Sequence, residues 1–143
     1  MKNNKGITLT SLIIYVFVLV IVVGIVANVT SFFYTNIINA KDNGQNMATI
    51  TKFNMYFTKD IKQSGNNVIS IANDRSYIKF ASGNVYTFQD NAIYFNNIKI
   101  CDNVSNLRFQ MEELNNKKIV TVLISAGLNL EVTKTTKYVM SQM

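Results

Sequence analysis

Residues 12–27 read LIIYVFVLVIVVGIVA, sixteen positions whose side chains carry no polar group except the Tyr15 hydroxyl. Adding residues 7–11 (ITLTS) brings the run to about twenty, which is enough helix to cross roughly 30 Å of hydrocarbon. Lys2 and Lys5 precede the run and the next charged residue is Lys41. By the positive-inside rule the N-terminus is cytoplasmic and everything after the span lies outside. A secretory signal peptide would have a shorter apolar core ending in an Ala-x-Ala-like site, and neither feature is evident. A plain, uncleaved signal anchor remains one reading of the run.

The composition narrows the function classes. Of 143 residues none is histidine, proline or tryptophan, and Cys101 is the sole cysteine. Without histidine the commonest general base is missing, as is the ligand on which most zinc, copper and iron sites rely. One cysteine allows neither an intrachain disulfide nor a Cys-x-x-Cys site, so Cys101 reads as a small buried hydrophobe. No nucleophile stands with a base at a recognisable spacing, and no glycine loop suits a phosphate. Catalysis and cofactors are therefore not expected. Asparagine is abundant, with pairs at 66–67, 96–97 and 115–116, as codon bias in an AT-rich bacterial genome would produce. The net charge of +6 falls by two if residues 1–6 are removed with Lys2 and Lys5. The remaining lysines are scattered, Lys117 and Lys118 being the one adjacent pair, and form no basic stripe.

The junction Lys5-Gly6-Ile7-Thr8-Leu9-Thr10-Ser11 places a very short basic leader, ending in glycine, directly before the membrane helix. This resembles the N-terminus of type IV prepilins. The resemblance implies cleavage between Gly6 and Ile7 by a prepilin peptidase, followed by N-methylation of Ile7. Glycine suits such a position because a residue without Cβ lets the chain approach an enzyme closely. The family normally has a glutamate at the fifth mature position, where it is thought to neutralise a neighbouring subunit's N-terminal amine. Here that position is Ser11, which can hydrogen-bond an amine but not neutralise it. The departure argues against a major pilin and for a minor subunit, at the filament tip or in initiation. Without charges in the span, helices would pack by shape and through small residues such as Gly24 and Ala27.

After residue 27 the chain becomes more polar, yet Phe33, Ile37, Ala40, Met47, Ile50, Phe53, Phe57 and Ile61 keep mostly three- and four-residue spacings, predicting one helical face. Asp42-Asn43-Gly44 could bend or break that helix. Its end is predicted near Ser64-Gly65, where glycine can take a left-handed cap conformation. Beyond Gly65, short alternating runs separated by Asn, Asp and Gly predict antiparallel strands at 68–72, 77–81, 85–89, 92–95, 98–101, 106–111, 118–124 and 128–133. Ser82-Gly83-Asn84, Asp90-Asn91 and Asn96-Asn97 are the expected hairpin turns. Ile78, Phe80, Leu107, Phe109, Val120, Val122 and Ile124 alternate and are the expected core.

The predicted fold is α+β. A leader at 1–6 precedes a transmembrane helix at 7–28, its continuation at 29–64, and an antiparallel β head at 65–143 formed as one twisted sheet with a face on the helix. Helix, meander and longer hairpin together resemble the minor pseudopilins of the PilW, GspJ and ComGF type. That likeness implies a subunit of a type IV pilus-like, type II secretion or competence filament. Its partners would be the prepilin peptidase, other pilins or pseudopilins and the cytoplasmic membrane, with the head carried to the cell surface. Two alternatives stand beside it. In one the head binds DNA or another ligand, with Lys99, Lys117, Lys118, Lys134 and Lys137 attracting phosphate. In the other the chain is an unrelated single-pass surface protein. Asp90, Asp102 and nearby asparagines match no calcium-loop spacing and read as turn formers.

Overall fold

The computed structural model describes residues 9–115, 117–127 and 131–140. Its elements are one helix, α1 (Leu9–Lys62), followed by eight strands: β1 (Val68–Ile71), β2 (Tyr77–Phe80), β3 (Val85–Gln89), β4 (Ala92–Phe95), β5 (Ile98–Cys101), β6 (Val104–Leu114), β7 (Lys117–Ala126) and β8 (Val132–Val139). The protein is therefore α+β, with a long helix whose later part packs on antiparallel sheets. By internal contacts the chain divides into a unit of residues 1–40 and a second of residues 41–143.

The helix does not break at Gly44. It runs without interruption through Asp42, Asn43 and Gly44, although glycine in a helix interior costs up to about 1 kcal/mol relative to alanine. Two turns further on, Ile50 begins a buried row that continues through Phe53, Phe57 and Ile61. Between them the buried Asn46 accepts a hydrogen bond from Asn103 Nδ2 at 3.0 Å. Tertiary contacts on the C-terminal side of Gly44 thus outweigh its weak local propensity. After Lys62, Gly65 takes φ +71° close to the expected end.

The expected apolar stripe is only half a core. Ile50, Phe53, Phe57 and Ile61 are buried, whereas Phe33, Ile37, Ala40 and Met47 are exposed. In the second unit Phe57 is the hub. Its ring lies 5.2 Å from Phe53, 5.6 Å from Phe80, 5.3 Å from Tyr86, 5.7 Å from Phe109 and 5.1 Å from Tyr138. All seven residues expected in the sheet core are buried, as is Cys101.

The strands form two sheets, not one. β1 to β5 make a meander in sequence order, and β6, β7 and β8 make a separate three-stranded sheet. The meander's tightest corners, Asp90-Asn91 and Asn96-Asn97, are two-residue loops closing the pairs Gln89↔Ala92 and Phe95↔Ile98. All four corner residues have φ between +50° and +67°, as a mirror-image hairpin turn requires. After β5, Asn103 at φ +56° redirects the chain, and β6 takes β7 as its ladder partner. Among the described residues, one backbone bond, Phe109 N–H to the Arg75 carbonyl at 2.9 Å, links β6 back to the segment before β2.

Strand limits also differ. β6 and β7 extend beyond the apolar alternation because they continue to pair, ending with Glu113 opposite Lys118 and Leu114 opposite Lys117. The last strand is shifted from 128–133 to Val132–Val139, with residues 128–130 outside the described part. Its register against β7, from Ile119↔Val139 to Ala126↔Val132, uses a Thr- and Lys-rich segment whose alternation is inconspicuous. Asparagine has a structural use as well: Asn91, Asn96, Asn97, Asn103 and Asn115 all hold positive φ, which asparagine tolerates better than most residues.

Candidate functional site

The first candidate region is the N-terminal part of α1. Among the described residues it is the one helix long and apolar enough to cross a membrane. Its large apolar side chains point outward on every side, with Phe17 67% exposed and Ile21 48%. At 1.5 Å per residue, residues 9–29 make about 30 Å of helix. Three of its polar residues bond back to their own helix. Asn28 Nδ2 donates to the Gly24 carbonyl at 3.0 Å, Thr30 Oγ1 to Val26 at 2.8 Å, and Thr35 Oγ1 to Ser31 at 3.0 Å. Such i−4 bonds satisfy hydroxyl and amide groups without water.

Lys2, Lys5, Gly6 and Ile7 lie outside the described residues. Ser11 stands in the first turn of α1, partly covered. Gly24 and Ala27 are three apart, hence on one helical face. A Cβ built on Gly24 would meet nothing within 4 Å.

The second region is a polar cluster that the apolar stripe conceals. Asp60 falls on the inner face of α1, three residues after Phe57 and one before Ile61, and is 4% exposed. Its Oδ1 accepts from Asn84 Nδ2 at 2.7 Å and its Oδ2 from the Tyr86 hydroxyl at 2.6 Å. Its backbone carbonyl accepts from the buried Asn66 Nδ2 at 3.0 Å, while Asn66 Oδ1 takes the Ser82 N–H at 2.8 Å. Asn96 Nδ2 extends the network to Asn84 Oδ1 at 3.0 Å. Helix end, β2–β3 turn and β4–β5 turn are thereby tied together. Burial, and after it the hydrogen bond and charge of Asp60, raise the Tyr86 hydroxyl far above its ordinary range, so it remains a donor. Beside this cluster opens a cleft of about 430 Å³, walled by Met55, Tyr56, Tyr86 and Phe95 with Asp60 and Asn84 among its polar lining. One sequence signal could have exposed the cluster: a carboxylate in register with Phe53, Phe57 and Ile61.

The lysines named from sequence do not converge. Lys99 is on β5, Lys117 and Lys118 begin β7, and Lys134 and Lys137 are on β8. Lys134 alone joins other cations, lining an open groove with Lys59, Lys62, Thr51, Asn54 and Thr58 of α1. Along that side the Tyr138 hydroxyl donates to Asn54 Oδ1 at 2.6 Å, and burial raises its pKa. Asp90 is a turn residue at φ +50°, Asp102 is exposed, and no cluster of three metal-ligating side chains occurs among the described residues. Cys101 Sγ donates to the Thr49 carbonyl at 3.5 Å, and burial pushes its thiol up to about 11, the opposite of an activated thiolate. Compared with known proteins, the chain matches no protein family, no characterised relative and no solved structure, so its function has to be argued from these residues and their geometry.

Proposed function

We propose that the chain is a minor pilin or pseudopilin: a subunit made with a short leader, cut after Gly6 by a prepilin peptidase, and held in the membrane and then in a filament by its N-terminal helix. The observation that carries this reading is a single unbroken helix, Leu9–Lys62, with exposed apolar side chains all round in its first part and a buried aromatic row in its last. An exposed apolar surface of that extent needs lipid or other apolar helices around it. The Lys5-Gly6-Ile7 junction, and an antiparallel β head directly after the helix, agree with the same reading. In it Ser11 leaves a neighbour's N-terminal amine unneutralised, which suits a subunit at the tip or in initiation more than one repeated along the shaft. The helix works by packing, and no chemistry is assigned to the head.

Intact-mass measurement of the protein from cells with and without prepilin peptidase tests this directly. Loss of residues 1–6 only where the peptidase is present, with or without a methyl group on Ile7, is the expected result. An untrimmed chain in both strains would overturn it in favour of a plain signal anchor. A second reading, a head that also binds DNA, draws on the Lys59, Lys62 and Lys134 groove. It predicts binding that weakens steeply with salt, with a log–log slope of roughly 2 to 3 for three phosphate contacts.

A further inference from the structure

Asp60 is a buried charge with an incomplete environment. Both of its side-chain hydrogen bonds come from neutral groups, Asn84 and Tyr86, and among the described residues no lysine or arginine forms an ion pair with it. An ionised carboxylate offers about four lone-pair directions, so roughly two are still available. A carboxylate taken out of water without a counter-charge is an unfavourable arrangement unless something cationic reaches it.

The walls of the adjacent cleft suit the rest of such a ligand. Phe95 lies 5.0 Å from the Tyr86 ring and 5.7 Å from Tyr56, each at about 45°, so three aromatic rings gather beside the carboxylate. Aromatic faces attract cations and also pack against methylene groups. Tyr56 is 41% exposed and Met55 71%, surfaces that a bound stem would cover. At about 430 Å³ the cleft is of small-molecule size. An anion would be repelled by Asp60, and a neutral alcohol would leave its charge uncompensated.

We propose that the cleft between the last turns of α1 and strands β3 and β4 binds an alkylammonium ion, whose N–H groups donate to Asp60 and whose methylene stem lies on Tyr56 and Phe95. The site is independent of the filament reading, since it lies wholly within the unit of residues 41–143. Lys59 lines the same cleft and is exposed. Its like charge weakens binding and favours a ligand whose single charge passes beyond it to Asp60. The ammonium can come from a free amine or from a lysine side chain of a partner protein.

The test is an NMR titration of the isotopically labelled full chain in detergent micelles with n-butylammonium chloride, using n-butanol and sodium chloride as controls. Saturable shifts at the Asn84 and Phe95 amides, absent with both controls, are expected. Asp60→Asn should weaken binding about tenfold or more, by loss of a charge-assisted contact. Tyr56→Ala should weaken it about threefold, and Lys59→Gln should tighten it about twofold. Because Asp60→Asn disturbs a buried network, Tyr56→Ala, at a partly exposed ring, carries the test if the first variant unfolds. Absence of saturation, equal binding of n-butanol, or wild-type affinity in a folded Asp60→Asn and in Tyr56→Ala would each overturn the proposal. N-acetyl-lysine amide binding more tightly than n-butylammonium identifies a partner's lysine as the source, and weaker binding identifies a free amine.

Discussion

Residues 9–40 and residues 41–62 share one helix, yet their apolar side chains have different surroundings. In the later segment Ile50, Phe53, Phe57 and Ile61 are at most 1% exposed, while in the earlier one every large apolar side chain from Leu9 to Ile38 is at least 40% exposed. Fully burying one such side chain is worth about 1.5–3 kcal/mol. The later segment obtains that stabilisation inside the head. The earlier one obtains almost none from its own chain, so its surroundings must supply it. The contrast teaches that helix formation and helix burial are separate matters. Backbone hydrogen bonding carries α1 through both segments, and only the placement of apolar residues on one face or on all faces decides what each segment packs against.

Substitutions can break this comparison or sharpen it. The largest effect is expected for Phe57→Ala, which removes the ring at the centre of the aromatic cluster and should destabilise the head by about 3–5 kcal/mol. Chemical denaturation of the chain in micelles reads that loss, and a change under 1 kcal/mol would mean the buried row does not hold the head together. Val20→Asp puts a carboxylate in the middle of the apolar segment, at a cost of about 2.5–3.5 kcal/mol to membrane insertion. It should lower the membrane-retained fraction on cell fractionation while the head's melting temperature stays unchanged. A matching loss of head stability would show that the two segments are energetically one.

Smaller effects probe the joints. Tyr86→Phe removes the hydroxyl that donates to Asp60 and should cost about 1.5–3 kcal/mol, the range for a hydrogen bond to a charged group. A neutral outcome in thermal unfolding would show that water replaces the donor. Gly44→Ala should stabilise the head by up to about 1 kcal/mol, because Gly44 is helical and an added Cβ meets nothing within 4 Å. For the unit of residues 41–143, about a hundred residues, the matching rise in melting temperature is roughly 4–8 °C. A fall instead would mean that the position has to flex.

Much of the fold was legible in the sequence because its signals are local. The apolar run at 12–27 requires no knowledge of the rest of the chain. Asp90-Asn91 and Asn96-Asn97 are legible as hairpin turns because few residue types accept positive φ at two consecutive positions. Alternation at Ile78, Phe80, Phe109, Val120 and Val122 likewise marks the inner faces of strands. Where expectations failed, distant partners decided. At Gly44, where the sequence left a break open, the helix continues into contacts made by Asn46 with Asn103 of the β5–β6 loop and by Ile50 with the core, and 132–139, expected at 128–133, is a strand because β7 offers it an edge. The Asp60 cluster was missed for a related reason, since its donors lie 24 and 26 residues away in sequence.

By itself the sequence determined that a long apolar helix begins the chain, that alternating strands follow it, and that the corners of the meander fall at asparagine and aspartate. These follow from side-chain polarity and backbone sterics over a few residues. The tertiary structure alone decided that the strands divide into a five-stranded and a three-stranded sheet, that the apolar stripe becomes a core only from Ile50 onward, and that Asp60, Tyr86 and Asn84 meet beside a cleft. Each of those outcomes depends on which surfaces are brought into contact, and contact between residues dozens of positions apart leaves no local pattern for periodicity to reveal.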